Sequence, residues 1–258
     1  MKNEHTVLID KNLCISCGLC VKDCVSSALE LKNNKAEVIA QDCIKCGHCV
    51  AICPKSAVSM TGFEDEPEKL VPEIKVDANA LMHQLKGRRT MRRFTTQDVS
   101  PEMIAQVIEA GRYTPSGTNR QTVSYVVLRK NIDVYEKIAL SLFRRVKWIV
   151  DIFTNKFNRT HIDDHFFFKK APVAIVIKST DMLDGALAAS SMELMAQSLG
   201  LGVLYSGLFT YTARVSRKLK KKLSVSSGEK VITTLVLGYP AVKYQRTAQK
   251  ERPVILFD

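Results

Sequence analysis

Eight cysteines occupy two stretches, CISCGLCVKDC at residues 14–24 and CIKCGHCVAIC at residues 43–53, and the rest of the 258-residue chain contains none. In each stretch three cysteines recur at every third position (Cys14, Cys17, Cys20; Cys43, Cys46, Cys49), and a fourth stands four positions further on (Cys24; Cys53). A short loop with a thiolate at every third residue can curl around one iron–sulfur cube and reach three of its corners. Gly18 and Gly47 let backbone N–H groups approach the sulfides. Zinc is the competing reading, but zinc sites pair two C-x-x-C units across a longer gap, without a third cysteine at the next step. The opening MKNEHTVLIDKN has no apolar leader region, so a reducing, cytoplasmic setting is expected and a disulfide framework is not.

Over residues 5–60 the chain resembles bacterial two-cluster ferredoxins. The resemblance implies two 4Fe-4S clusters, one held by Cys14, Cys17, Cys20 and Cys53, the other by Cys43, Cys46, Cys49 and Cys24. One position departs from the pattern. Pro54 follows Cys53 as expected, but Val25 follows Cys24, which loosens a turn without removing a ligand. His48, inside the second stretch, reads as a surface residue in a non-ligand slot.

A one-electron relay has no substrate of its own, so an acceptor is sought in residues 78–258. GRRTMRRF (87–94) places four arginines and a hydroxyl within six positions, a set that suits an anionic phosphate as well as a solvated basic turn. YTPSGTNRQ (113–121) is a tight polar loop after a helix. LGYP (237–240) and KERP (250–253) add a strand end, a turn and two further cations.

In this order the stretches resemble the FMN-dependent nitroreductase family, with RRTMRRF, PSGTNRQ, the Gly-rich LGLGVLYSG (199–207), LGYP and the terminal Lys-x-Arg as its marks. The resemblance implies that Arg88 and Thr90 hold the FMN phosphate with Lys250 and Arg252. Arg89 would contact the phosphate or ribityl side, and Arg92 the N1/O2 edge of the ring, where a fixed cation favours the reduced flavin. It also implies an intertwined homodimer, in which Pro115, Ser116 and Asn119 complete the partner's site. Ser206 and Gly207 would offer backbone N–H groups near N5. Two departures stand out: Thr90 replaces the usual serine, and Thr122-Val123 follow Gln121 where Pro-Trp is common.

The elements needed to position these groups are legible in outline. The cysteine stretches repeat one pattern, each following a short apolar run (Val7–Ile9; Val38, Ile39) and leading into another (Leu29–Leu31; Val58–Met60), which predicts two strand–loop–turn–strand units. Such units bury too little by themselves and need the metal. The domains are therefore expected as 1–60 for the ferredoxin-like part, 61–77 for a Pro-containing acidic linker, and 78–258 for the flavin part. In the last, helices are predicted near 77–87, 100–112 and 184–200 and strands at 123–128, 172–177 and 231–238. Together they give an α+β fold, an α/β sandwich of the nitroreductase type. The resemblance to nitroreductases implies that residues 146–170 shape the substrate pocket. His161 and His165 there have a metal-like spacing but no evident third ligand, so a polar lid is the simpler reading. The basic run RVSRKLKKKL (214–223) predicts a helix whose cations are solvated or dock an acidic electron carrier.

Net charge is +12, nearly all of it beyond residue 60, since residues 1–60 hold seven Lys/Arg against six Asp/Glu. No run of apolar residues is long enough for a membrane span, and no nucleic-acid partner is expected. The chain is thus expected to be a flavin oxidoreductase with no catalytic side chain of its own. Electrons from a low-potential donor, a ferredoxin-type protein or NAD(P)H, would pass through two 4Fe-4S clusters to FMN and on to a nitroaromatic, a quinone or a similar acceptor. The alternatives are an electron carrier or redox sensor without turnover, and a same-fold enone reductase or dehalogenase.

Overall fold

Short apolar triplets beside the cysteine stretches have nothing to pack on but each other and the sulfur. The computed structural model, which describes residues 5–40, 42–71, 74–153 and 162–258, shows how they pair. Strand β1 (Val7–Ile9) runs antiparallel to β4 (Val58–Met60), with Val7 opposite Met60. Strands β2 (Leu29–Lys32) and β3 (Lys35–Val38) form a hairpin whose two turn residues, Asn33 and Asn34, both have positive φ (49° and 55°). That is the backbone of a two-residue type I′ turn, and asparagine tolerates it better than most residues. One-turn helices α1 (Leu19–Lys22) and α2 (His48–Ala51) each start after a left-handed glycine, Gly18 at φ 72° and Gly47 at φ 75°. The repeat holds residue by residue: Ser16 and Lys45, then Ser27 and Ser56, also share positive φ. The buried core of this unit consists of Cys20, Leu29, Ala36, Cys49 and Val58, so cysteine supplies two of its five members. By contact the chain divides into two units: Met1–Lys75 with Gly117–Arg120, and Val76–Ser116 with Gln121–Asp258.

The second unit is organised by a four-stranded antiparallel sheet, made of β5 (Ser124–Leu128), β6 (Val173–Ser179), β7 (Gly202–Tyr205) and β8 (Lys230–Gly238) in the spatial order β5-β6-β8-β7. All seven residues of β6 are buried, as the sequence of a strand covered on both faces demands. Side chains alternate across the pleat. Val173, Ile175 and Ile177 enter one core with Val107, Ala189 and Met192, from helices α4 (Pro101–Arg112) and α6 (Met182–Ser198). Ala174 and Val176 enter the other with Phe167, Phe168 and residues of three more helices, α5 (Ile132–Phe153), α7 (Gly207–Val215) and α8 (Arg217–Lys222). Helix α3 (Ala78–Gly87) precedes the arginine stretch. The helix starts obey the expected chemistry: Asp77, Ser100 and Asp181 accept from amides of the first turns of α3, α4 and α6. Gly111 is required by close packing, since a Cβ there would lie 2.5 Å from the Tyr125 hydroxyl. That hydroxyl is buried with no hydrogen-bond partner among the described residues, and burial pushes its pKa up to about 12.

The described parts of 146–170, residues 146–153 and 162–170, differ from the expected lid. Helix α5 continues to Phe153, and Phe167 and Phe168 lie in the core rather than over a pocket. Three consecutive phenylalanines in a turn are stable there because Phe167 and Phe168 pack their rings on Phe209, with centroids 5.9 and 4.6 Å away. His161 lies outside the described residues. The basic run is broken at Ser216, which ends α7 and caps α8 through Leu219. Leu219 and Leu223 are buried and the five cations between 217 and 222 are exposed. No helix among the described residues is long and apolar enough to cross a membrane.

Candidate functional site

The cysteines are eight free thiols with no disulfide among them. Cys24, Cys43, Cys46 and Cys49 line one cavity, together with Leu29 and Val38. This is the set expected for the second cluster. In the other set, Cys17 and Cys53 act electrostatically on Cys20, which requires proximity. Burial raises the Cys20 thiol and pushes Cys49 up to about 11, with Cys43 and Cys46 adding to the latter. Backbone amides do the opposite. Ala36 and Ser16 lower Cys14, the amides of Ala28 and Ala57 reach Cys24 and Cys53 Sγ at 3.3 and 3.2 Å, and that of Lys45 reaches Cys43 Sγ at 3.4 Å. Amide donors aimed at sulfur favour the thiolate, the form that binds metal.

The donor set itself, three cysteines at every third position with a fourth after them in each stretch, fits a cubane better than one zinc ion. His48 is an exposed side chain, as expected, with Nδ1 3.2 Å from Asp23 Oδ2.

In the second unit the arginine stretch is pinned between two strands. The Met91 amide donates to the Val203 carbonyl at 2.8 Å, the Thr95 amide to Tyr239 and the Ala241 amide to Arg93, so RRTMRRF lies beside both the LGLG strand and LGYP. Gly202 permits the approach, because a Cβ there would sit 2.7 Å from Met91 Cγ. Arg88 Nη1 bonds Glu193 Oε2 at 2.9 Å. Glu193 also receives the Tyr205 hydroxyl and the Gln197 amide, and burial together with this carboxylate raises Tyr205. Arg89 Nη1 donates to the carbonyls of Lys86 and Arg88, while its Nη2 is buried with no partner among the described residues. Thr90 and Arg92 are exposed.

Ser206 is buried and precedes α7, but its Oγ donates to the Phe167 carbonyl at 2.9 Å and does not cap the helix. The first amides of α7, beginning at exposed Gly207, are thus left without a side-chain cap. An orphaned guanidinium N–H and an uncapped helix start both suit an anionic, hydrogen-bond-accepting ligand. Ser116 Oγ accepts from the Gln121 amide, and Pro115 is exposed. Asn119 belongs to the first unit, where its Nδ2 donates to the carbonyls of Ile44 and Lys45. Lys250 and Arg252 lie on an exposed tail, and among the described residues no hydrogen bond or ion pair joins them to the arginine stretch. The sequence reading missed Glu193. A carboxylate in the middle of a mostly small or apolar helix, whose other acid, Asp184, belongs to the first turn, was its only signal.

Two units, one with paired cysteine cages and the other an antiparallel α/β sandwich with an arginine-lined edge, are the parts of an oxidoreductase that carries an iron–sulfur domain. A model of the nitroreductase family matches residues 85–239, and a 4Fe-4S dicluster domain matches residues 6–54. The chain belongs to the nitroreductase family and is an oxidoreductase of that family with an N-terminal 4Fe-4S domain. Its relatives include an FMN reductase (NAD(P)H) of Bacillus subtilis, 27% identical over 183 residues that cover 67% of this chain and 70% of that one. An iodotyrosine deiodinase of Nematostella vectensis is 27% identical over 191 residues, covering 66% and 70%. Among solved structures, a nitroreductase with bound FMN from Bacteroides fragilis shares the fold, with a TM-score of 0.57, 22% identity, and coverage of 70% of this chain and all of that one.

Proposed function

We propose that the protein is an FMN-dependent iron–sulfur oxidoreductase that connects a low-potential electron donor to a small organic acceptor such as a nitroaromatic or a quinone. The observation that carries this reading is the occurrence, in one nitroreductase-family chain, of eight free thiols in two stretches that match a 4Fe-4S dicluster domain. When bound, two 4Fe-4S clusters would supply single-electron relay and FMN the storage of two electrons and their delivery.

The chain's own residues bind and orient. Cys14, Cys17, Cys20 and Cys53 hold one cluster, and Cys43, Cys46, Cys49 and Cys24 the other. Arg88, Arg89 and Thr90 hold the phosphate and ribityl side of FMN, with Lys250 and Arg252 closing over the phosphate and Arg92 placing positive charge at the ring edge. Glu193 fixes the orientation of Arg88 through their 2.9 Å contact. The uncapped start of α7, at Ser206 and Gly207, donates to the ring. Pro115, Ser116 and Asn119 complete the site of a second subunit in a homodimer. The donor is a ferredoxin-type protein or NAD(P)H, the latter supported by the relative named for NAD(P)H. Relatives named iodotyrosine deiodinase favour a second reading, in which the acceptor is a halogenated aromatic.

Anaerobically purified protein is expected to contain about eight iron, eight sulfide and one FMN per chain. It should turn over a nitroaromatic with reduced methyl viologen as donor. Colourless folded protein, or iron without affinity for FMN, would sink the proposal, and cofactors that are reduced but never turn over would leave only the carrier reading. Replacing Arg88 by alanine removes a charge-assisted phosphate contact of about 1.5–3 kcal/mol, so the FMN dissociation constant should rise roughly 10- to 150-fold while iron content stays unchanged. Fluorescence titration of the flavin-free protein measures it.

A further inference from the structure

Helix α5 and the turn that carries the phenylalanines bring together three side chains that neither the cages nor the arginine stretch uses. Asp133, Glu136 and His165 are the one set of three metal-ligating residues among those described whose ligand atoms all lie within 4.8 Å of one another. Asp133 and Glu136 are three residues apart near the start of α5 and so share a face. His165 comes from a turn later in the chain, and the turn itself is ordered: Asp163 Oδ1 accepts the His165 amide at 2.9 Å, and the His165 carbonyl accepts the Lys169 amide at 2.8 Å.

Glu136 is the decisive member. It is 2% exposed. Its Oε1 accepts the amides of Phe167 and Phe168 at 2.8 and 2.9 Å. Its Oε2 accepts no hydrogen bond among the described residues and faces His165 Nδ1 at 3.7 Å, beyond hydrogen-bond range. A buried carboxylate with one bare oxygen and a second carboxylate beside it is costly unless a cation sits between them. Asp133 and His165 are on the open side, so an ion has a route in. Neutral imidazole offers Nδ1 as a lone-pair donor when its proton is on Nε2.

We propose that Asp133, Glu136 and His165 bind a divalent first-row cation of the zinc class, with solvent completing the coordination. Two carboxylate oxygens and one imidazole nitrogen are the mixed donor set that such ions take. The bound ion ties α5 to the phenylalanine turn. Because the Phe167 carbonyl accepts from Ser206 Oγ, it also steadies the segment before α7.

The test uses the protein with its iron and flavin in place. It is dialysed anaerobically against graded zinc at neutral pH, and zinc per chain is counted by mass spectrometry, beside His165→Ala and Asp133→Asn. Glu136 is left intact because its amide contacts serve the fold. The expected result is about one zinc ion per native chain, with affinity at least about tenfold lower in each variant and iron and flavin unchanged. Zinc taken by the cysteine cages would persist in both variants and is thereby separated. Equal uptake by all three proteins, or uptake by none, overturns the site. So does a thermal midpoint that varies with pH through His165 while no zinc binds, which would assign the trio to a bare ion pair.

Discussion

Cys49→Ser is expected to cut the iron of the anaerobically purified protein from about eight atoms per chain to about four or fewer. FMN should remain near one per chain, and methyl-viologen-driven turnover should fall at least about a hundredfold. Serine keeps the shape but not the chemistry, since its hydroxyl gives up its proton far less readily than a thiol and is a poor ligand for iron. Cys49 is also structural. It is one of two buried cysteines in a core whose other buried members are Leu29, Ala36 and Val58, so little apolar surface remains to hold the unit when the sulfur contact is lost. Apart from Asn119, the residues proposed to hold flavin lie in the other unit, built on its own sheet, and that is why flavin should be retained. Iron and sulfide assays beside a flavin count on the same sample decide it; unchanged iron would show that Cys49 is no ligand.

Phe209→Ala has the largest expected effect on stability. The ring is fully buried in α7 and packs on Phe167 and Phe168 beneath β6 and β8. Truncating such a residue removes its burial and leaves a cavity that the neighbouring rings fill only in part, a cost of about 3–5 kcal/mol. For a domain of this size each kcal/mol moves the thermal midpoint by about 2–4 °C, so a fall of roughly 10 °C is expected by circular dichroism. Flavin affinity should weaken with it, because Phe209 anchors the first turn of the helix whose free amides start at Gly207. A midpoint within about 2 °C of the native value would mean that this core is not where the unit's stability resides.

What could be seen in the sequence was whatever is encoded locally. The cysteine spacing, the Ser100-Pro101 helix start and the buried run of β6 each carry their own signal, and each appears where that signal placed it. The strand expected at Val38 and Ile39 lies earlier, as β3 (Lys35–Val38), where only Ala36 of four residues is buried and the alternation is too short to fix the bounds. The Asn33-Asn34 pair was the available clue to the hairpin. Helix α5 runs from Ile132 into the segment read as a lid, with no glycine or proline to mark where it should end. The site was legible as residue types and not as surroundings. Arg88 meets Glu193 across 105 positions, and Glu136 meets the Phe167 amide across 31. No local pattern encodes such partners, because they exist only once the sheet has brought the helices together.

The twofold repetition of the first unit's backbone has one more consequence. Two halves with the same left-handed residues at Ser16 and Lys45, Gly18 and Gly47, Ser27 and Ser56 give their sulfur cages nearly the same scaffold. Any downhill slope for an electron must then come from the side chains in which the halves differ. From Cys14 to Leu31 these include Lys22, Asp23 and Glu30; from Cys43 to Met60 they include Lys45 and Lys55 with no carboxylate. Neighbours from outside each stretch count as well: Lys11 and Lys35 act electrostatically on Cys14, and Asp23 lies 3.2 Å from His48 of the other half, so two cages with one backbone stand in different fields.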